Sequence, residues 1–204
     1  MTAPQIHCLF HSSPSVAALL HSPAGKSLAG DLLVECAPAP ALGFALSLET
    51  PANYPGIVGL LGGTDIASLA HESDRLPAPI ILAPGTPVQP AATRAALARL
   101  TAPDDRIARL TLLVPLGHAA ALGAALAIAS RCTLAWDVSE FPHEEMLDFA
   151  RWLGRERLTD REHFDGVVAY ASQPLAPAHA QRLTALLAPL ATATHPAGVL
   201  ALVS

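Results

Sequence analysis

Residues Val114–Glu145 read VPLGHAAALGAALAIASRCTLAWDVSEFPHEE, and this stretch decides the predicted fold. The apolar run Leu110–Val114 leads into it and predicts a buried strand, which Pro115–Gly117 ends. Ala119–Ser130 consists almost entirely of small and apolar residues, a composition that favours a closely packed helix. Thr133–Val138 predicts a second buried strand. The order strand, turn, helix, strand indicates an α/β domain.

The composition indicates one folded domain and excludes some partners. A chain of 204 residues that is 51% hydrophobic and 14% charged is large enough for one substantial core. Its net charge of −5, with 12 basic residues spread along the chain, argues against a nucleic-acid surface. Cys8, Cys36 and Cys132 lack the spacing of a metal site, so we expect reduced thiols, no bound metal and a cytoplasmic protein.

A membrane helix is the first alternative for the central stretch. Leu110–Ser130 contains 21 residues without a formal charge, which is long enough to cross a bilayer. Pro115, Gly117 and His118 interrupt it, however, and a membrane-spanning helix needs a continuous ladder of backbone hydrogen bonds. We therefore predict no membrane span. The N-terminus also lacks the basic and apolar segments of a signal peptide.

The N-terminal residues 1–30 carry two weak motifs. His7 and His11 have the i, i+4 spacing of a metal pair on a helix, but nothing else completes such a site. Gly25–Ser27, with the letters GKS, is similar to the end of a phosphate loop. Leu20 stands where the first glycine of that loop is required, so we reject the phosphate-loop interpretation.

Hydrophobic patterns elsewhere predict further elements. Strands are predicted at Asp31–Cys36, at Leu42–Glu49 as its antiparallel partner, and at Pro79–Ala83. Helices are predicted at Val16–Leu20, Gly56–Ser73, Ala91–Leu100, Met146–Arg157 and Pro177–Leu190.

The central stretch resembles the active-site pattern of the crotonase (enoyl-CoA hydratase/isomerase) superfamily. Eight residues fall on that pattern without a gap: Gly117, Ala119, Gly123, Leu126, Ala127, Ala135, Phe141 and Glu145. There are also departures. Ala121 and Leu122 stand where the pattern has two glycines, Arg131 replaces its Asp, and Glu144 replaces its Pro.

Weaker matches follow the same order along the chain. Leu46–Asn53 is similar to an early strand of the family, Gly154–Glu162 to its G-R-x-L-T-A-x-E segment, and Asp165–Val168 to its turn into a later strand. The resemblance covers about residues 31 to 190. It implies an α/β fold, a crotonase-like spiral of repeated β-β-α units with a helical C-terminal region. The domains would then be an N-terminal extension, 1–30, and a single crotonase-like domain, 31–204.

The resemblance implies an enzyme that acts on an acyl thioester, either an acyl-CoA or an acyl-carrier protein. Such enzymes bind the thioester oxygen through two backbone N–H groups while an enolate forms, and carboxylates move the protons. The implied catalytic residues are Glu145, Glu144 and His118. The implied thioester-binding residues are Leu122, Gly123, Gly117 and Pro90.

Two positions of the chain differ from those of an ordinary hydratase. Ala125 stands where the first hydratase glutamate belongs. Pro90 stands where the first oxyanion amide comes from and has no N–H to donate, whereas a competing register keeps the donors at Gly62 or Gly63. The alternative is therefore a non-catalytic crotonase-fold subunit that scaffolds or assists a partner enzyme. Either function implies a homotrimer or hexamer and no cofactor beyond the coenzyme A thioester substrate. For Asp137, at the end of a predicted strand, the alternatives are pairing with Arg131 or acting as an acid, and we favour the structural role.

Overall fold

The computed structural model describes residues 3–12, 15–86, 88–102, 106–139, 148, 164–173, 178, 181 and 185. The predicted helices Met146–Arg157 and Pro177–Leu190 lie outside this part of the chain, except for isolated positions.

A seven-stranded sheet forms the centre of the molecule. Its strands are β1 Gln5–His11, β2 Leu32–Glu35, β3 Ala70–His71, β4 Ile80–Ile81, β5 Arg109–Pro115, β6 Arg131–Asp137 and β7 Phe164–Tyr170. Their order is β3-β4-β2-β5-β1-β6-β7. Every neighbouring pair is parallel except β3 with β4. The inner strands are buried over most of their length, as expected for a parallel sheet that is covered on both faces.

Short helices cover this sheet. They are α1 Val16–His21, α2 Pro23–Leu28, α3 Ala41–Ala45, α4 Ile66–Leu69, α5 Pro90–Arg99 and α6 Ala119–Ile128, together with a 3₁₀ helix at Gly56–Gly62. The connection from β1 to β2 and the connection from β5 to β6 run in opposite directions across the sheet. Because parallel crossovers are right-handed, α1 and α2 lie on one face and α6, which contacts α5, lies on the other.

This topology places a crevice beside β1. The chain leaves the carboxyl ends of β1 and β5 towards opposite faces, and these two strands are paired along their whole length. Ligands of open α/β sheets bind at such a point, outside the carboxyl ends of the strands. The predicted N-terminal extension, 1–30, thus supplies β1, which pairs with both β5 and β6.

The predicted crotonase spiral is wrong. The strands form one open, mostly parallel sheet instead of repeated β-β-α turns. The predicted strand Leu42–Glu49 is also wrong, because β2 already has parallel partners on both sides and the chain continues into α3. The single helix predicted at Gly56–Ser73 is divided. Gly63, with φ +83°, ends the 3₁₀ helix in the left-handed conformation, and α4 follows.

The local predictions around the central stretch are confirmed. β5, α6 and β6 correspond to Leu110–Val114, Ala119–Ser130 and Thr133–Val138. The shorter predictions at Val16–Leu20, Asp31–Cys36, Pro79–Ala83 and Ala91–Leu100 correspond to α1, β2, β4 and α5. No helix in the described part of the chain is long and apolar enough to span a bilayer, and 110–130 is divided between β5 and α6.

Candidate functional site

A buried carboxylate lies at the carboxyl edge of the sheet, beside the crevice. Asp137 ends β6 and is fully buried, and Tyr170 ends β7. Three serines complete the group: Ser15 immediately before α1, Ser139 after β6 and Ser172 after β7. We call these five residues the Asp137 network. It joins the ends of β6 and β7 to the segment that follows β1.

The hydroxyl groups of the network donate their protons either to Asp137 or to a serine that donates to Asp137. Ser15 Oγ donates to Asp137 Oδ2 at 2.6 Å and lies 2.9 Å from the Tyr170 hydroxyl. Because the only Ser15 hydroxyl proton is already donated, the Tyr170 hydroxyl must donate to Ser15. On the other side, Ser139 Oγ donates to Oδ1 at 2.5 Å, and Ser172 Oγ lies 3.0 Å from Ser139 Oγ. By the same reasoning, Ser172 donates to Ser139.

Two backbone amides complete the shell around the carboxylate. The N–H of Ser139 donates to Asp137 Oδ1 at 3.0 Å, and the N–H of Ser172 donates to it at 3.3 Å. Burial alone would raise the pKa of Asp137, but the hydrogen bonds from Ser139, Ser15 and Ser172 outweigh burial and hold that pKa below its ordinary value. Asp137 is therefore a carboxylate at neutral pH. The predicted pairing with Arg131 is wrong, because that residue begins β6, about 20 Å from its end, and binds Asp165 at 2.9 Å.

A second buried carboxylate, Glu35, ends β2. Its Oε1 accepts from the N–H of Leu42 at 2.7 Å, and its Oε2 accepts from the N–H of Ala83 at 2.9 Å. Burial raises the pKa of Glu35, and the hydrogen bonds from Ala83 and Leu42 oppose this only in part. Through these hydrogen bonds Glu35 holds α3 and the segment after β4 next to the end of β2.

The predicted thioester-binding residues do not assemble an oxyanion hole. The N–H of Leu122 donates to the carbonyl oxygen of His118 at 3.0 Å within the first turn of α6, so this amide is already used. Pro90 begins α5, where a missing N–H is tolerated. A Cβ atom added at Gly117 or Gly123 would meet nothing within 4 Å, so neither position requires glycine for packing.

Of the predicted catalytic residues, only His118 lies in the described part of the chain. His118 precedes α6, and its Nδ1 lies 3.3 Å from the carbonyl oxygen of Cys36, which links the ends of β5 and β2. Glu144 and Glu145 lie outside the described residues. His7 and His11 lie on β1 and not on a helix, about 13 Å apart along the strand. That separation is too large for one metal ion.

Several solved structures share this fold. Cobyrinic acid a,c-diamide synthase from Mycobacterium smegmatis, solved with an ATP analog and magnesium, has a TM-score of 0.63 at 16% identity, covering 91% of this chain and 80% of that chain. A plasmid partition protein from Borrelia burgdorferi has a TM-score of 0.59 at 12% identity, covering 92% and 86%. McdA from Cyanothece, solved as an ATP complex, has a TM-score of 0.56 at 13% identity, covering 90% and 78%. No family model and no curated protein matches the sequence.

These likenesses concern the fold alone, an open and mostly parallel α/β sheet, and they overturn the crotonase resemblance. The predicted enoyl-CoA hydratase or isomerase activity is wrong, because it depended on that fold. The acyl-CoA or acyl-carrier partners and the homotrimer or hexamer are wrong for the same reason. So is the alternative of a crotonase-fold subunit that assists a partner enzyme.

The sequence lacks the residues with which P-loop ATPases hold ATP and magnesium. A P-loop places G-x-x-x-x-G-K-[ST] between a strand and the next helix, so that backbone N–H groups and the lysine hold the phosphates. Between β1 and α1 this chain has residues 12–15, with the letters SSPS, which include no glycine and no lysine. P-loop ATPases also hold magnesium with an Asp. β5 ends in Val114 and Pro115, and Asp137 on β6 already accepts four hydrogen bonds.

Gly25–Ser27 cannot replace the missing loop. These residues lie inside α2, and a Cβ at Gly25 would come within 1.8 Å of the Leu19 carbonyl oxygen. The N–H of Gly25 already donates to Ser22 Oγ. Lys26 lines an open cleft of about 710 Å³ at the opposite, amino edge of the sheet. The other lining residues of this cleft include His21, Asp31, Asp74, Leu76 and Arg109.

Proposed function

We propose that this protein uses the fold of P-loop ATPases without ATP and acts by binding another protein. The observation that carries the proposal is the SSPS segment between β1 and α1, the place where P-loop ATPases have their phosphate loop. Tight phosphate binding needs several backbone N–H groups and a positive charge directed at one point. Here the Asp137 carboxylate lies 2.6 Å from the oxygen of Ser15, and it would repel a phosphate.

The protein-binding surface is on α3. Phe44 is 90% exposed, and its exposed neighbours Pro38, Ala39, Ala41 and Ala45 are also apolar. We call these five residues the α3 surface. The segment 36–48 that contains it has no charged residue, although the whole chain carries a net charge of −5. Exposed apolar surface of this kind usually marks a protein contact.

The α3 surface is held in place and not merely left exposed. Glu35 accepts a hydrogen bond from the N–H of Leu42, two residues before Phe44, and Leu42 itself is buried. A rigid aromatic side chain loses little entropy on binding and is a common anchor at protein interfaces. Because the chain is acidic overall, we expect the partner to be neutral or basic around an apolar pocket that accepts the phenyl ring.

Thermal denaturation with nucleotide tests the first half of the proposal. At about 1 mM Mg-ATP, a site with a Kd of about 10 µM would stabilise the fold by about 2.7 kcal/mol, which is a rise in Tm of about 5–10 °C for a chain of this size. We expect no rise with ATP or ADP. A rise of that size overturns the proposal. If Tm does rise, the variant Lys26→Ala shows whether the nucleotide binds at Gly25–Ser27, because Lys26 belongs to that segment and not to residues 12–15.

Photo-crosslinking from position 44 tests the second half. A protein captured in this way is purified, and its Kd is measured against the wild type and against Phe44→Ser. We expect binding to Phe44→Ser to be at least about tenfold weaker, since loss of an interface anchor costs more than about 1 kcal/mol. Equal affinities would show that α3 is not the contact surface. The variant Leu61→Ser, at the other large exposed hydrophobic side chain among the described residues, is the matched control.

A further inference from the structure

We propose that the Asp137 carboxylate is a built-in anion that occupies an oxyanion-binding cage at the end of β6. The proposal rests on the proposed function in one respect, namely that no nucleotide phosphate uses the neighbouring segment after β1. The cage takes a small carboxylate, and in this protein the carboxylate is covalently part of the chain.

Donors from three separate segments form the cage. The Ser15 hydroxyl comes from the segment before α1, the Ser139 hydroxyl and N–H from the segment after β6, and the Ser172 N–H from the segment after β7. Convergent hydroxyl and backbone N–H groups are the arrangement by which proteins bind oxyanions. All four donors are within 3.3 Å of an Asp137 oxygen, so the cage is filled.

The hydrogen bonds of Ser15 indicate that the Asp137 carboxylate orients its side chain. Ser15 immediately precedes α1, where a serine hydroxyl normally accepts a hydrogen bond from the first turn of the helix. Its side chain makes no such capping bond. The hydroxyl instead donates to Asp137, and the buried Tyr170 hydroxyl donates to it in turn. The orientation of this serine is therefore set by the negative charge and not by the helix.

Chemical rescue tests the proposal directly. In Asp137→Ala the four donors lose their anion, and we expect Tm to fall by at least about 4 °C. Sodium formate, which supplies a carboxylate small enough for the vacated volume, should restore at least half of that loss, whereas sodium chloride at equal ionic strength should not. The wild type should show no such gain. Asp165→Ala is the matched control, because Asp165 is an aspartate on β7 that pairs with Arg131 near the surface, and formate should not rescue it.

Asp137→Asn keeps the test decisive if Asp137→Ala does not fold. The asparagine fills the same volume without the charge, so we expect a lower Tm that formate does not restore, because no space is left. An Asp137→Asn variant as stable as the wild type, or equal effects of formate and chloride on Asp137→Ala, would overturn the proposal. ATP binding by the wild type is measured separately. It would contradict the proposed function, whereas failure of formate rescue alone would contradict only the built-in anion.

Discussion

The hydroxyl of Ser15 donates a hydrogen bond of 2.6 Å to the carboxylate of Asp137, across 122 positions of sequence. This bond bridges the segment after β1 and the end of β6, beside the crevice where ligands of open α/β sheets bind. Here the chain makes the bridge itself. The stability of that edge is therefore expected to depend on single side chains of the Asp137 network.

Replacement of Ser15 by alanine should measure this bridge. The change removes one donor from a buried carboxylate and leaves the Tyr170 hydroxyl without its acceptor at Ser15. We expect Ser15→Ala to lower the free energy of unfolding by about 1–3 kcal/mol, as measured by urea denaturation. Ser73→Ala is the control, because Ser73 Oγ accepts, from the residues that the structure describes, only the N–H of Arg75 in an exposed turn. Its effect should stay within about 0.5 kcal/mol. Equal effects of the two variants would show that the bridge contributes nothing.

His7 should make the stability depend on pH. Burial lowers the pKa of His7 below 6.5, although the Leu28 carbonyl and Asp165 act to raise it and Arg131 acts to lower it further. The folded state therefore disfavours the protonated imidazole. As the pH falls through 6.5 the unfolded state binds a proton that the folded state does not, so stability decreases.

The variant His7→Gln isolates this contribution from that of the other histidines. We expect the wild type to lose more free energy of unfolding than His7→Gln between about pH 7.5 and 5.5, as measured by urea denaturation at each pH. Identical losses in the two proteins would assign the pH dependence to other groups.

Phe44 should matter for contacts and not for folding. Its side chain is 90% exposed, so Phe44→Ser is expected to change the free energy of unfolding by less than about 0.5 kcal/mol. The same change at the buried residue Phe10 should cost about 3–5 kcal/mol. Phe44→Ser should also reduce the fluorescence of an apolar dye bound to the folded protein. A large loss of stability in Phe44→Ser would mean that this ring supports the fold.

Sequence patterns predicted the local elements but not the overall fold. The run from Leu110 to Val138 gave the right strand, helix and strand, because apolar runs and breakers are local signals. A helix of small residues, however, can connect two parallel strands in many different folds, so it did not identify this one. Gly117 and Gly123, which carried the crotonase resemblance, have open space around them and are not required by the packing.

The most important strand of the sheet was missed for a physical reason. β1 has only a short apolar centre between His7 and His11, and this polar flanking hides a buried strand. His7 is accommodated because its Nδ1 lies 3.2 Å from the Leu28 carbonyl oxygen and its Nε2 lies 2.9 Å from Thr133 Oγ1. Neither partner could be inferred from the sequence, because Thr133 is 126 positions away.

The Asp137 network could not be predicted either, because its members are far apart in the sequence. Its members come from three segments that only the strand order β1-β6-β7 brings together. One signal was present, however. Asp137 is a carboxylate at the carboxyl end of a buried strand, the place where α/β proteins position functional side chains.

A crystal structure of the wild-type protein grown with Mg-ATP would test the central claim most directly. We predict no nucleotide between β1 and α1, and an unchanged hydrogen bond from Ser15 to Asp137. A triphosphate bound to the segment 12–15, with Asp137 displaced from Ser15, would contradict both the ATP-independent function and the built-in anion.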